Sequence, residues 1–385
     1  MKFIGLVVLF LGLTFLSPAK SIRIGLFTDQ TASDFTVTCL DGHFHIKTSS
    51  QTILQLSAGN EVRFTKVAEN VRIQSEGKIL GVFSRLTVAS AGDGALFSII
   101  PGESRGGAVS YKGSLELKVR NNRLAPVNIV ELEEYTASVV ESEISNLEHE
   151  QMLKVQAILT RTFTLGNLDR HTVDGFSLCD RVHCQVYNGR KRYNVAVHQA
   201  VRATHDKVVV GPDKKILLAA YHSNCGGQTA PSGDAWSQQV STLVVVVDTF
   251  CSNSPHARWR KSISLSRWES YLRSKGVDCS DQSLPCAHLF IDSLNRSCCV
   301  RAGELTIPAK VIRRDLDLKS AYFTISIEND SVVFNGKGYG HGVGLCQEGA
   351  AAMAQAGYSV EEIIRYYYCD VRIVRYHEWK GFSSN

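Results

Sequence analysis

The chain has 385 residues and a formal net charge of +5, from 42 Lys and Arg against 37 Asp and Glu. With basic residues scattered and no run beyond Arg190-Lys191-Arg192, nucleic-acid binding has little support. Mild positive charge suits ordinary solubility as well as contact with an anionic polymer. The 11 cysteines form an odd set, so in an exported chain at least one stays unpaired or binds something else.

Met1 and Lys2 precede an uncharged run from Ile4 to Leu16, about 13 residues where a bilayer span needs about 20. Residues 1–21 read as a secretory signal peptide, with small residues at Ser17, Ala19 and Ser21 for cleavage; an uncleaved N-terminal anchor is the alternative. Later apolar runs are short, and Leu243 to Val247 stops at Asp248. The mature protein is therefore expected outside the cytoplasm, in the periplasm or cell envelope. Roughly 365 residues remain, enough for two or three domains.

Residues 22–125 alternate apolar and polar positions, as in Phe35-Thr-Val-Thr-Cys39 and Phe44-His-Ile-Lys-Thr48, which predicts a β-rich domain without a catalytic set. From Leu147 to Leu168, Met152, Val155, Ile158, Leu159 and Phe163 recur at helical spacing and predict an amphipathic helix. Strand-like runs follow at Lys207–Val210, Ile216–Tyr221, Tyr322–Ile327 and Ser331–Phe334. Another helix is expected from about Cys346. Gly357 ends it, and Ser359 with Glu362 has capping-box spacing for the next, whose stripe is Ile363, Ile364, Tyr367 and Tyr368. The fold class is α+β.

The cysteines divide by place. Cys251, Cys279, Cys286, Cys298 and Cys299 crowd residues 248–303, which reads as an insertion held by disulfides and without chemistry. Cys179 and Cys184 flank His183, while Cys39, Cys225, Cys346 and Cys369 stand apart.

Three blocks carry polar groups in a telling order. The first is Leu132-Glu-Glu-Tyr135 to Val139-Val-Glu-Ser-Glu143, followed by Lys154-Val-Gln156-Ala157 and Arg161-Thr-Phe163. The second runs from Cys179 through His183, Cys184, Gln185, Tyr187 and Gly189, with Tyr221-His-Ser223-Asn-Cys-Gly226-Gly227 behind it. The third is Gly338-Tyr-Gly340-His341-Gly342-Val-Gly344-Leu-Cys-Gln347.

Together, over roughly residues 130–375, these blocks resemble the SpoIID family of sporulation-type cell-wall proteins, in the family's order. The resemblance implies a SpoIID-like catalytic domain over 126–375, interrupted by the 248–303 insertion. Two departures are Ile144-Ser145 where the family has Met-Pro, and Leu345-Cys346 where it has Met-Ser. It further implies a lytic transglycosylase that cuts peptidoglycan glycan strands stripped of stem peptides, downstream of an amidase. A single carboxyl suffices for that route, because the acid that protonates the glycosidic oxygen can then assist the muramyl 6-hydroxyl, whereas water-using hydrolases need a second carboxylate.

The family's Val-Val-x-x-Glu pattern puts Glu143 in that role, where composition alone leaves Glu141, Glu148 and Glu150 as rivals. A Glu ahead of a helix is otherwise a favourable charge at the dipole's positive end. Val139, Val140 and Ile144 are expected to wall the groove and raise the acid's pKa. The implied substrate groove comprises Gln156, Arg161, Gln185, Tyr187, Tyr221, Ser223, Gly226, Gly227, His341 and Gln347. His341 would bond sugar or steady Glu143, with a buried structural histidine as the alternative. Tyr221, His222 and Ser223 lack the oriented acid of a triad.

His171, Cys179, His183 and Cys184 offer an N2S2 set for a structural Zn2+, as in some members of the family, against a Cys179–Cys184 disulfide. The glycines at 338–344 lack the Lys-Ser/Thr of a phosphate loop, so no nucleotide cofactor is expected. Two other functions stay open. One is a non-catalytic, wall-binding stimulator of an amidase, the other a disulfide-stapled lattice protein, which leaves the motif order unexplained.

Overall fold

Alternating residues in the first third place one side of each strand against a core and the other toward water. In the computed structural model, which describes residues 20–92, 94–102, 107–144, 147–190, 193–236, 238–277, 296, 299–302 and 305–382, these become β1 (Ser21–Gly25), β2 (Asp34–Asp41), β3 (His43–Lys47), β4 (Thr52–Ser57), β5 (Glu61–Val67), β6 (Asn70–Ser75), β7 (Lys78–Phe83), β8 (Arg85–Ser90), β9 (Leu96–Pro101), β10 (Val109–Lys112), β11 (Ser114–Arg120) and β12 (Arg123–Glu131). Most of the expected signal peptide, residues 1–19, lies outside the described residues, as do Cys279, Cys286 and Cys298.

The strands form a six-stranded sheet, β10-β9-β2-β5-β6-β7, and a second sheet in which β4-β3-β8-β11-β12-β1 is continued by β13 (Leu178–Cys179). Phe35, Phe44, Phe64 and Phe97 fill the core they share, and Leu178, Cys179 and Tyr135 from beyond the β-rich segment join it. β13 runs parallel to β1, with Cys179 opposite Gly25.

β12 leads directly into α1 (Leu132–Ile144), followed by α2 (Glu150–Gly166). α2 is the predicted amphipathic helix, capped by the His149 ring, which accepts from the Gln151 N–H. Periodicity does not set α1 apart, because Thr136, Val139 and Val140 are β-branched and weak helix formers. α1 holds because it is wedged between two cores, with Val139 in the first and Val140 and Ile144 in the second.

The second core is helical. It gathers α2, α3 (Val195–Ala203), β14 (Lys207–Val210) and β15 (Tyr221–His222), and later α7 and α8. Between these lie α4 (Ser232–Ala235), β16 (Arg258–Ser264), α5 (Leu265–Ser274), β17 (Cys299–Ala302), β18 (Leu305–Pro308), α6 (Ala309–Asp315), β19 (Phe323–Glu328) and β20 (Ser331–Lys337). The chain closes with β21 (Leu345–Cys346), α7 (Gln347–Gln355), α8 (Val360–Tyr367), β22 (Arg372–Arg375) and α9 (Tyr376–Phe382). The capping box at Ser359 and Glu362 is present as predicted. Among the described residues, no helix is long and apolar enough to cross a membrane.

The described part of 248–303 differs from the expected insertion held by disulfides. β16 pairs with β20 and β20 with β19, and Trp268, Phe334, Ile312 and Leu272 pack a third core. Aromatic burial therefore orders this part. Nor does Cys251 staple it: Cys39, Cys179, Cys184, Cys225, Cys251, Cys346 and Cys369 are free thiols.

The element that positions the site is small. β15 and β21 pair in parallel, Tyr221 opposite Leu345 and His222 opposite Cys346. This close approach requires glycine at 344, where φ is +71° and a Cβ would lie 2.1 Å from the Ala220 carbonyl oxygen. Gly344→Ala is expected to destabilise the protein by at least about 1–3 kcal/mol from backbone strain; a urea midpoint equal to wild type would contradict this.

Candidate active site

Glu143 is the penultimate residue of α1. One turn beyond Val139 and Val140, it falls angularly between them, on the seam where the first and second cores meet. Val139, Val140 and Ile144 are themselves wholly enclosed, so they anchor the helix and do not line a groove. The position also differs from the expected place ahead of a helix. Glu143 stands at the negative C-terminal end of its own helix, with no basic residue in the last turn, which disfavours a carboxylate.

Its Oε1 accepts the Val186 N–H at 2.8 Å, and the Tyr221 hydroxyl also donates to the carboxylate. Burial raises the pKa of Glu143 above the usual carboxyl range, and these two hydrogen bonds oppose that shift without cancelling it. The phenol of Tyr221 is itself held well above its ordinary value, by burial first and the Glu143 charge second. It therefore remains a donor.

Behind Tyr221 a polar chain crosses the second core. Gln185 Nε2 donates to the Tyr221 hydroxyl at 3.0 Å, while Gln185 Oε1 accepts from Thr164 at 3.1 Å and Tyr135 at 3.4 Å. The Thr160 hydroxyl also bonds Tyr221. Gln156 Nε2 reaches Thr160 Oγ1 at 3.4 Å, and Gln347 Nε2 reaches Gln156 Oε1 at 3.3 Å. All three predicted blocks thus meet around one acid. Thr160 and Thr164 had only their place one and two turns after Gln156 to mark them.

Other expected site residues take different positions. Arg161 is entirely buried, gripping Glu133 through Nε at 2.9 Å and Nη2 at 2.6 Å and donating to the Lys207 carbonyl at 3.0 Å. Tyr187 is a core residue, its hydroxyl 2.7 Å from Asn128 Oδ1 and its ring beside Tyr135. Ser223 offers its carbonyl to the Glu348 N–H at 3.1 Å. Gly226 and Gly227 both have positive φ, and the turn they make lies against Lys337 and Gly338.

His341 does not touch Glu143. Its Nδ1 accepts the Val343 N–H at 3.1 Å, the ring bonds the Tyr221 backbone, and Trp236 and His222 flank it. Burial lowers its pKa to about 4, so it is neutral at pH 7 and braces the strand that carries Tyr221. With Trp236, Arg296 and Arg313 it lines a cleft that no local motif announced.

The rival acids are differently placed. Glu141 projects from the opposite side of α1, accepts the Asn194 N–H at 3.1 Å, and shares a pocket with Glu134, Lys112, Arg190 and His198. Glu148 accepts from the Asn194 side chain at 3.0 Å, and Glu150 pairs with Lys154 on the surface.

The Cys/His loop converges as a metal site would. Ligand atoms of His171, Cys179, His183 and Cys184 lie within 4.8 Å of one another. The turn that accomplishes this is closed by the Cys184 N–H donating to the Arg181 carbonyl at 2.8 Å. His183 Nδ1 is 3.8 Å from Cys179 Sγ and 3.7 Å from Cys184 Sγ. His171 turns Nε2 toward the same point and binds Asp174 Oδ2 through Nδ1 at 2.9 Å, the outer carboxylate that orients a metal-binding imidazole. The donor set fits Zn2+.

The chain is similar to proteins named for sporulation and for amidase enhancement. Residues 120–210 match the family model SpoIID, stage II sporulation protein. An uncharacterized protein of Brachyspira hyodysenteriae is 29% identical over 298 residues, 74% of this chain and 77% of that one. Stage II sporulation protein D of Bacillus subtilis is 26% identical over 284 residues, 69% of this chain and 81% of its own. The amidase enhancer of Bacillus subtilis is 26% identical over 280 residues, 59% of this chain but only 38% of the relative. Over residues 120–210 the chain matches the SpoIID family, and it is similar to relatives of that family over about 70% of its length.

The raised pKa of Glu143 has a sign for stability. Its protonated form is favoured by folding, so stability associated with it is complete below the unfolded carboxyl pKa and is lost as pH rises through the folded one. Glu143→Gln is therefore expected to raise the thermal midpoint at pH 7 to 8, the gain shrinking as pH falls below about 4. Midpoints of the two proteins that run parallel across that range would contradict the assignment.

Proposed function

We propose that this protein is a lytic transglycosylase that cleaves peptidoglycan glycan strands already freed of stem peptides. The observation that carries the reading is a single half-buried carboxyl, Glu143, held by one backbone N–H and one tyrosine at the meeting point of all three motif blocks. Protonated Glu143 gives its proton to the glycosidic oxygen as the bond to C1 of the muramyl residue breaks. The carboxylate left behind takes the proton of the C6 hydroxyl as O6 bonds to C1, giving a 1,6-anhydro end and restoring the acid. Burial favours the protonated form needed for the first step, and Tyr221 steadies the anion between steps. No second carboxylate is required.

His171, Cys179, His183 and Cys184 would hold a structural Zn2+, since four protein ligands leave no open position for water. The metal would fix the loop that presents Gln185 and Val186 to the acid. An amidase must act upstream to strip the strands, and substrate of this kind places the protein in the cell envelope. The second reading is a wall-binding stimulator of an amidase, favoured by the relative named amidase enhancer.

Incubation with intact and amidase-treated peptidoglycan, followed by mass spectrometry, separates the two. Anhydro products are expected from the stripped substrate alone, with Glu143→Gln slowing their release at least about 100-fold. Absence of products from both substrates, with faster amidase action, selects the second reading. Tyr221→Phe removes a hydrogen bond that favours the charged acid, so the alkaline limb of the pH–rate profile is expected to move to higher pH; a shift to lower pH would exclude that role.

A further inference from the structure

Outside the groove, the fold gathers another set of metal-ligating side chains from three separate segments. Cys225 opens the Gly226-Gly227 turn, Asp248 and Cys251 follow the apolar run at 243–247, and Cys346 caps α7. One donor atom from each lies within 4.8 Å of every other, and all four residues are buried. Cys225 Sγ is 3.4 Å from Cys251 Sγ and 3.3 Å from Asp248 Oδ2. A tetrahedral zinc with Zn–S bonds of about 2.3 Å sets its sulfurs about 3.8 Å apart, so these spacings are close to the edges of such a tetrahedron.

We propose that Cys225, Asp248, Cys251 and Cys346 bind a second, structural Zn2+. Charge argues for a cation. Asp248 is 0% exposed, and among the described residues no Lys, Arg or His forms an ion pair with it. A buried carboxylate without a positive partner is costly. Its Oδ2 also accepts from the Tyr367 hydroxyl at 2.9 Å and its Oδ1 from the Phe250 N–H at 2.9 Å, contacts that aim a ligating carboxylate.

The sulfurs are arranged for thiolates as well. Cys346 Sγ accepts the N–H groups of Cys225 at 3.3 Å and Gly349 at 3.4 Å. A disulfide between any two of the three thiols would leave the third, and Asp248, unserved. Soft thiolates with one carboxylate select Zn2+ over Mg2+ or Ca2+, and a closed four-ligand set has no place for substrate water. The ion would tie the 221–227 segment to the start of α7, and with them Tyr221 and Gln347. The proposal is independent of glycan cleavage.

The test is metal analysis of the full chain, purified with reductant and without chelator. About two equivalents of zinc are expected per chain, falling to about one in Cys251→Ser and to about one in Cys184→Ser. In Cys184→Ser refolded with Co2+, a thiolate-to-cobalt charge-transfer band should remain. If Cys251→Ser does not fold, alkylation of wild type decides: Cys225, Cys251 and Cys346 should react several-fold faster once zinc is chelated. Unchanged zinc in folded Cys251→Ser, equal alkylation with and without chelator, or a Cys225–Cys251 disulfide in the isolated chain would overturn the proposal.

Discussion

The arrangement around Glu143 depends on the parallel pairing of two very short strands, Tyr221-His222 and Leu345-Cys346. A few hydrogen bonds join segments more than a hundred residues apart in sequence, and they set Tyr221 beside Glu143 and Gln347 at the far end of the polar chain. Tyr221 reaches the acid from one side of the pair, while Gln347, immediately after the other, closes the chain through Gln156 and Thr160. So short a pairing cannot hold by itself. It is braced by the Tyr368 hydroxyl, 2.6 Å from the Ala220 carbonyl, and by His341 on the Tyr221 backbone.

The acid is placed by packing, not by a loop. α1 lies between a β core and a helical core, and its last turn brings a carboxyl to the line where the two meet. Such a place is partly dry without being sealed, which is what raises a pKa while leaving the proton accessible.

Much of this was legible in the chain. Period-two alternation marked strands such as β2, and period-3.6 spacing marked α2, because both report burial on one side. The order of three motif blocks pointed to Glu143, Gln185, Tyr221 and Gln347, which do converge. α1 was hidden by its β-branched valines, which only tertiary burial on two sides holds in a helix. Arg161 was expected in the groove, yet a charge fully paired with Glu133 inside the fold looks the same in sequence as one facing substrate. The third core escaped notice because its cysteines suggested staples where Trp268 and Phe334 supply the packing.

β13 is only two residues long, yet it adds to the edge of the N-terminal sheet and carries Cys179 with it. Tyr135 and Val139 of α1 are buried among the same β-sheet side chains. The β-rich segment is therefore no removable attachment. A chain begun after it would strip one face of the helix that bears Glu143 and leave the Cys/His loop without its anchoring strand, so natural shuffling of the C-terminal part alone would have to rebuild both surfaces.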